Sequence, residues 1–352
     1  MTLRCWKSAV CCVLSLFAAS AVEAANPDTN LIVFGDSFSS RGFTVAGILE
    51  QAQHSNQEYP APPYDDGRFT NGPLFPEYMA AHLNLTLLDF GAAGATSGAV
   101  NSTFTLITHD RNNTNGTRAI SLPAPSLPQQ VQLYLNETNG VAEADDLHCI
   151  FIGLDDYINA LSGLPVLPAV VVAYIEQSAM ALYNAGARMI FLGNLLPLNL
   201  APAYSPLALN SSATATQDKL SSLITLHNTA LGVAASGLAN YHEDATIGVL
   251  DLFTPFSQMV LNETGPGFAM PIEEPCYGAD EYEMPGTPNL DECADPDERL
   301  FWDWLHPSTQ AHSVLGISLL QELSSAIVNS ALLHARQQTV TLAQIIKAEG
   351  SA

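Results

Sequence analysis

The sequence predicts an α/β fold with a parallel sheet between two helical layers. Short apolar runs rich in β-branched residues alternate with longer helical stretches, and the order βαβαβ builds parallel sheets. These runs are continuous rather than alternating, as expected for strands covered on both faces. The chain has 352 residues, enough to bury a sizeable core, and neither a repeat nor a linker divides it. One domain is therefore expected over residues 25–352.

The elements follow in order. The first strand is Asn30–Gly35, the run LIVF closed by a glycine that permits a tight turn. A helix is expected over Pro73–Leu83 and a second strand over Leu85–Phe90. The stretch Asn101–Pro125 is polar, holds three glycosylation sequons and is expected to be irregular. A helix over Leu127–Leu135 precedes the third strand, Leu147–Gly153, in which Cys149 reads as a buried small hydrophobe. The helix Leu167–Ala185, the strand Arg188–Gly193, the long helix Thr214–Tyr241 and the strand Thr246–Asp251 continue the alternation. Asn262–Glu298, rich in Pro, Gly and acid, is expected to be irregular. Pro307 and Ser308 open the last helix, Ser308–Leu333. The strand order cannot be read from this pattern.

Composition excludes several functions. Apolar residues make up 47% of the chain and charged residues 13%, which is not the balance of a disordered protein. Lys and Arg number 11 against 35 Asp and Glu, a net charge of −24. Nucleic acid requires the opposite sign, and an anionic membrane surface would repel the chain.

Residues 1–24 read as a secretory signal. Arg4 and Lys7 supply the positive region, Ala9–Ala19 the apolar one, and Val22-Glu23-Ala24 the small residues of a cleavage site. The apolar run Leu164–Ile175 is interrupted by Pro165 and Pro168 and ended by Glu176, so no membrane anchor is expected. Seven sequons, at Asn84, Asn101, Asn112, Asn115, Asn136, Asn210 and Asn262, agree with an extracellular glycoprotein. In an oxidising compartment Cys276 and Cys293, which flank a polar loop, are the natural disulfide pair. No zinc spacing or EF-hand occurs in residues 25–352, so no metal is expected.

Two segments carry chemistry. The first strand runs into Gly35-Asp36-Ser37-Phe38-Ser39-Ser40. A serine just past a parallel strand stands where open α/β sheets bind ligands, although Asp and Ser are also good N-caps. Far downstream stands Phe301-Trp302-Asp303-Trp304-Leu305-His306-Pro307. A serine nucleophile needs an imidazole to take its proton and a carboxylate to orient that imidazole. Asp303 and His306 are spaced so that one turn can present both. The remaining histidines lack such a setting. G-x-S-x-G is absent, which argues against an ordinary α/β-hydrolase.

On these residues the chain resembles the GDSL family of esterases and lipases, also called SGNH hydrolases. The resemblance rests on the FGDSFSSRG block and on Asp89-Phe90-Gly91-Ala92-Ala93-Gly94-Ala95-Thr96. It rests equally on Ile152-Gly153-Leu154-Asp155-Asp156-Tyr157 and on Asp303-Trp304-Leu305-His306-Pro307. Gly67-Arg68-Phe69-Thr70-Asn71-Gly72-Pro73 resembles a further element of eukaryotic members. The resemblance implies a flavodoxin-like, three-layer α/β/α fold with five parallel strands and no cofactor. It implies Ser37 as nucleophile, His306 as general base and Asp303 as its orienter. It also implies an oxyanion hole from the amides of Ser37 and Gly94 and a side chain at position 155.

Position 155 departs from the pattern: it carries aspartate where the family pattern has asparagine, and ionised aspartate donates nothing. Asp155 either joins the hole in its protonated form or lies aside and leaves it to the two amides.

Within the family, the opening and closing blocks look most like secreted fungal carbohydrate acetylesterases. Ten acids between Glu273 and Glu298, against Arg299 as the nearby base, favour a neutral ester or acetylated oligosaccharide over an anionic substrate. They would equally form a solvated acidic face. A lipase acting on longer acyl chains and a catalytically impaired glycan-binding homologue are the alternatives. The sequence leaves the oligomeric state open.

Overall fold

The computed structural model describes residues 29–41, 60–109, 117–261 and 267–325, apart from 61, 162, 164, 270 and 279–291. The signal segment, Asn112, Asn115, Asn262 and the end of the last expected helix lie outside the described residues. Five parallel strands form the main sheet: β1 (Asn30–Gly35), β2 (Thr86–Asp89), β5 (Leu147–Phe151), β6 (Met189–Gly193) and β7 (Thr246–Leu250). Their order is β2-β1-β5-β6-β7. Counted along the chain, that is the flavodoxin-like order 2-1-3-4-5, with its switch point between β1 and β5.

Burial follows position in the sheet. Leu31, Ile32, Val33 and Phe34 of β1 and the whole of β5 are buried. The edge strands β2 and β7 are covered less completely.

Helices cover both faces. On one lie α2 (Leu127–Glu137), α4 (Pro168–Ala185) and α5 (Ala213–Tyr241), packed side by side. On the other, α1 (Phe75–Leu83) meets α7 (309–325), where Gly316 lies against the Phe75 carbonyl so closely that a Cβ would stand 2.9 Å from its oxygen. Ala311, Leu315, Leu319 and Leu323, spaced by four, turn the buried stripe of α7 inward.

Four elements were not expected. Asn101–Pro125 is not wholly irregular: β3 (Thr103–His109) and β4 (Thr117–Pro123) pair antiparallel within it. The run TFTL at its start alternates polar and apolar residues before Ile107 breaks the pattern, and the sequons around it masked that signal. The short helices α3 (Leu154–Leu161) and α6 (Phe253–Val260) follow β5 and β7 directly. With eight residues each they are too short to give a helical period.

Candidate active site

The site is built at the carboxyl ends of β1, β2 and β5, around the switch point. Gly35 ends β1 where a Cβ would stand 2.6 Å from the Phe151 carbonyl oxygen and 2.0 Å from Ser39 Oγ, so only glycine fits. Gln130 of α2 clamps this residue. Its Oε1 accepts the Gly35 N–H at 2.9 Å and its Nε2 donates to the Gly35 carbonyl at 2.9 Å.

The next residues form a tight turn. The amides of Ser39 and Ser40 donate to the Asp36 carbonyl at 3.1 and 3.0 Å, and Asp36 Oδ1 accepts the Phe38 amide at 3.0 Å. Asp36 thus does the capping. That leaves the Ser37 side chain to face another group: its Oγ lies 2.9 Å from His306 Nε2.

His306 comes from the turn before α7, closed by a bridge between Phe301 and Pro307. Asp303 shapes that turn and engages the imidazole together. Its Oδ1 accepts the backbone amides of Leu305 and His306, both at 2.7 Å. His306 Nδ1 lies 2.8 Å from Oδ2 and 3.0 Å from Oδ1. The Phe38 and Phe69 rings each stand 5.0 Å from the imidazole, centre to centre. Burial pushes the Asp303 carboxyl up, but the charge and hydrogen bonds of His306 outweigh it and hold the group below its ordinary range. Ser37, Asp303 and His306 are all buried yet retain some exposure, at 7%, 7% and 6%, so a small reactant can reach them.

The segment 67–73 fastens this turn to the rest of the chain. Thr70 Oγ1 donates to the Pro307 carbonyl at 2.9 Å, and Asn71 Oδ1 accepts the Thr309 amide at 2.9 Å. Arg68 forks onto Glu77 of α1 at 2.7 and 2.8 Å.

The loop after β2 is stitched to the nucleophile turn on one side and to α3 on the other. The Ala92 amide donates to the Gly35 carbonyl at 3.0 Å, and Ser40 Oγ to the Gly91 carbonyl at 2.9 Å. Farther along, Asp156 at the start of α3 accepts the Ser97 amide and hydroxyl at 2.8 and 2.9 Å. Between these anchors Gly94 adopts φ 72°, which suits glycine. Among the described residues, neither the Ser37 nor the Gly94 amide donates to a protein acceptor.

Asp155 stands in the first turn of α3, and its Oδ2 is buried without a partner. Burial, then the charges of Asp36 and Asp156, push its carboxyl well above the ordinary value. Burial likewise raises Asp36, and it brings Asp156 to about 6 against the pull of the Ser97 bonds. Backbone amides left without a protein acceptor can stabilise negative charge developing on a nearby oxygen.

Cys276 and Cys293 form a disulfide with a Cα–Cα distance of 4.8 Å. Cys149 is free and buried, and burial pushes its thiol up. Asn84, Asn101, Asn136 and Asn210 are exposed, as a glycosylated side chain would need. No group of metal-ligating side chains gathers among the described residues, and no helix among them is long and apolar enough to cross a membrane.

Sequence reasoning brought forward Ser37, Asp303 and His306, and the structure brings them together. It overlooked Gln130, Ser97 and the two phenylalanines beside the imidazole. Phe38 and Phe69 lie inside the quoted motifs and could have been found there. Gln130 and Ser97 act through the fold alone.

Residues 31–319 match the GDSL-like Lipase/Acylhydrolase family. A GDSL esterase/lipase of Arabidopsis thaliana is 22% identical over 361 residues, covering 91% of this chain and 96% of that protein. A second from the same plant is 24% identical over 349 residues, covering 91% and 93%. Among solved structures, an extracellular lipase from Streptomyces rimosus aligns with 15% identity and a TM-score of 0.39, over 82% of this chain and 97% of that one. An alpha/beta hydrolase from the metagenome of Lake Arreo aligns with 13% identity and a TM-score of 0.41, over 86% and 97%.

Proposed function

Because the chain belongs to the GDSL-like lipase/acylhydrolase family, whose members hydrolyse esters, we propose that it is a secreted serine esterase that removes acetyl groups from hemicellulose-derived oligosaccharides. The observation that carries the serine mechanism is the hydrogen-bonded series Ser37 Oγ, His306 Nε2, His306 Nδ1 and Asp303 Oδ2, at 2.9 and 2.8 Å.

In this mechanism His306 Nε2 takes the Ser37 proton as Oγ attacks the ester carbonyl. Asp303 holds the imidazole in the required tautomer and stabilises the imidazolium. The amides of Ser37 and Gly94, with protonated Asp155, donate to the tetrahedral oxyanion. His306 returns its proton to the leaving alcohol, which leaves an acyl-serine. Water, deprotonated by the same imidazole, then releases the acid and restores Ser37.

Support for a neutral substrate comes from the acids that precede the Asp303 turn. Glu273, Glu274, Glu292, Asp295, Asp297 and Glu298 are all exposed. Among them Arg299 pairs with Glu274 at 3.3 Å. Their field disfavours phospholipids and uronates and leaves acetylated xylo-oligosaccharides unaffected.

The deciding measurement is acetate release from acetylated xylo-oligosaccharides, beside p-nitrophenyl esters of increasing chain length. Ser37→Ala and His306→Ala should each lower kcat by about four orders of magnitude, because such residues act as a unit. Near-normal turnover by Ser37→Ala ends the serine mechanism. A preference for long acyl chains ends the acetyl assignment, and binding of sugars without turnover points to a glycan-binding homologue.

A further inference from the structure

We propose that Tyr64 is a positioning residue for the Asp303 carboxylate, its hydroxyl keeping Oδ2 turned toward His306 from within a disulfide-anchored aromatic cluster. The inference rests on the esterase reading of Ser37, His306 and Asp303.

The two oxygens of Asp303 are served differently. Oδ1 accepts the Leu305 and His306 amides from its own turn and lies 3.0 Å from His306 Nδ1. Oδ2 receives His306 Nδ1 at 2.8 Å and the Tyr64 hydroxyl at 2.8 Å. Tyr64 stands 239 residues away in the chain, and its hydroxyl supplies Oδ2 with a donor that the turn itself does not. During acyl transfer the carboxylate must stay ionised and fixed while the imidazole gains and loses a proton. A donor on the oxygen that faces the imidazole serves both needs.

The phenol ring is held on several sides. It is 4% exposed and meets Tyr277 at 5.5 Å and Trp302 at 6.1 Å, both edge to face. Phe69, which also touches His306, stands 6.1 Å away. Tyr277 stacks on Trp302 at 5.8 Å and follows Cys276 of the disulfide. The amides of Cys276 and Tyr277 donate to the Phe301 and Trp302 carbonyls at 3.1 and 2.7 Å, and Trp304 Nε1 donates to the Gly278 carbonyl. Residues 276–278 therefore run alongside the Asp303 turn as a short ladder, and the Tyr64 ring packs against Tyr277 and Trp302. Among the described residues, the other ionisable groups coupled electrostatically to His306 are Asp36 on the nucleophile turn and His312 on α7.

Tyr64→Phe keeps the ring and removes only the donor. Its kcat on p-nitrophenyl acetate should fall about tenfold with KM nearly unchanged, the pattern of a lost transition-state interaction. The acid limb of its kcat/KM profile should move up by about half a pH unit, because a less satisfied carboxylate holds the imidazolium proton longer. In an Asp303→Asn background the same substitution should cost no more than about twofold, since the group it acts on is gone.

An unchanged kcat, a lowered melting temperature with an unmoved acid limb, or an equal loss in the Asp303→Asn background overturns the proposal. A wild type without ester turnover would instead end the esterase reading. The His306 ring protons, followed by NMR across pH, then decide for Tyr64. A titration displaced in Tyr64→Phe upholds the contact with Asp303, and an identical titration overturns it.

Discussion

Asp155 brings a carboxyl group to a turn where an amide would donate at any pH. Ionised and about 4 Å from a developing oxyanion, at an effective dielectric of about 20, it would oppose the reaction by about 4 kcal/mol. That is about a thousandfold in rate. The neutral acid would donate as the amide would, and burial, then the charges of Asp36 and Asp156, push the Asp155 carboxyl above the ordinary carboxylate range. In the proposed oxyanion hole, activity should therefore fall as pH rises through the ionisation of Asp155. Asp155→Asn should raise kcat at neutral pH and extend the profile upward, which a pH–rate series on the two proteins measures. Identical profiles would remove Asp155 from the oxyanion hole. At this scale Ser37, Asp303, His306 and the departure at 155 were legible because each lies in a short block with defined spacing. Tyr64 was not: its partner is Asp303, and nothing local marks a tyrosine as the donor to a carboxylate across the fold.

The element with the clearest consequence is the segment closed by Cys276 and Cys293, separated by 17 residues. Chain entropy gives such a loop about 3 kcal/mol of stabilisation. Because Tyr277 stacks on Trp302 and Trp302 leads into Asp303, breaking the bond should lower activity as well as stability. Cys276→Ser with Cys293→Ser should lose about 3 kcal/mol in denaturant titration and show reduced kcat. A variant with full kcat would separate the disulfide from the site. Strand positions were readable to within two residues, since continuous apolar runs in a doubly covered sheet have sharp ends. The hairpin β3–β4 and the helices α3 and α6 were not. Their signals are short, and neighbouring sequons or strand ends dominate the same windows.

For the whole molecule, buried ionisable groups set how stability follows pH. Burial raises Asp36, Asp89, Asp155 and Asp156, bringing Asp89 to about 7 and Asp156 to about 6. It lowers His148, His227 and His312 to about 4, 3 and 3. A raised carboxyl favours folding below its unfolded value of 3.8 and loses that contribution as pH rises through its folded value. A lowered imidazole favours folding above its unfolded value of 6.5 and loses that contribution as pH falls. Between these values the two sets oppose each other. Above 6.5 the imidazoles are neutral in both states and only the carboxyls still titrate. Stability should then fall by about 1.4 kcal/mol per pH unit for each carboxyl still protonated in the fold. Melting temperatures between pH 6.5 and 8 should decline accordingly, and a rise would contradict this balance. The sequence by itself determined the α/β class, the positions of the five strands of the main sheet, the disulfide pair and the residues of the serine–histidine–aspartate series, because apolar runs and short motifs are local properties of the chain. Only the tertiary structure decided the strand order, the Gln130 clamp on Gly35, the Tyr64 contact with Asp303 and the acidic surroundings of Asp155. Each of these depends on which distant segments the sheet brings together, and no local pattern encodes that.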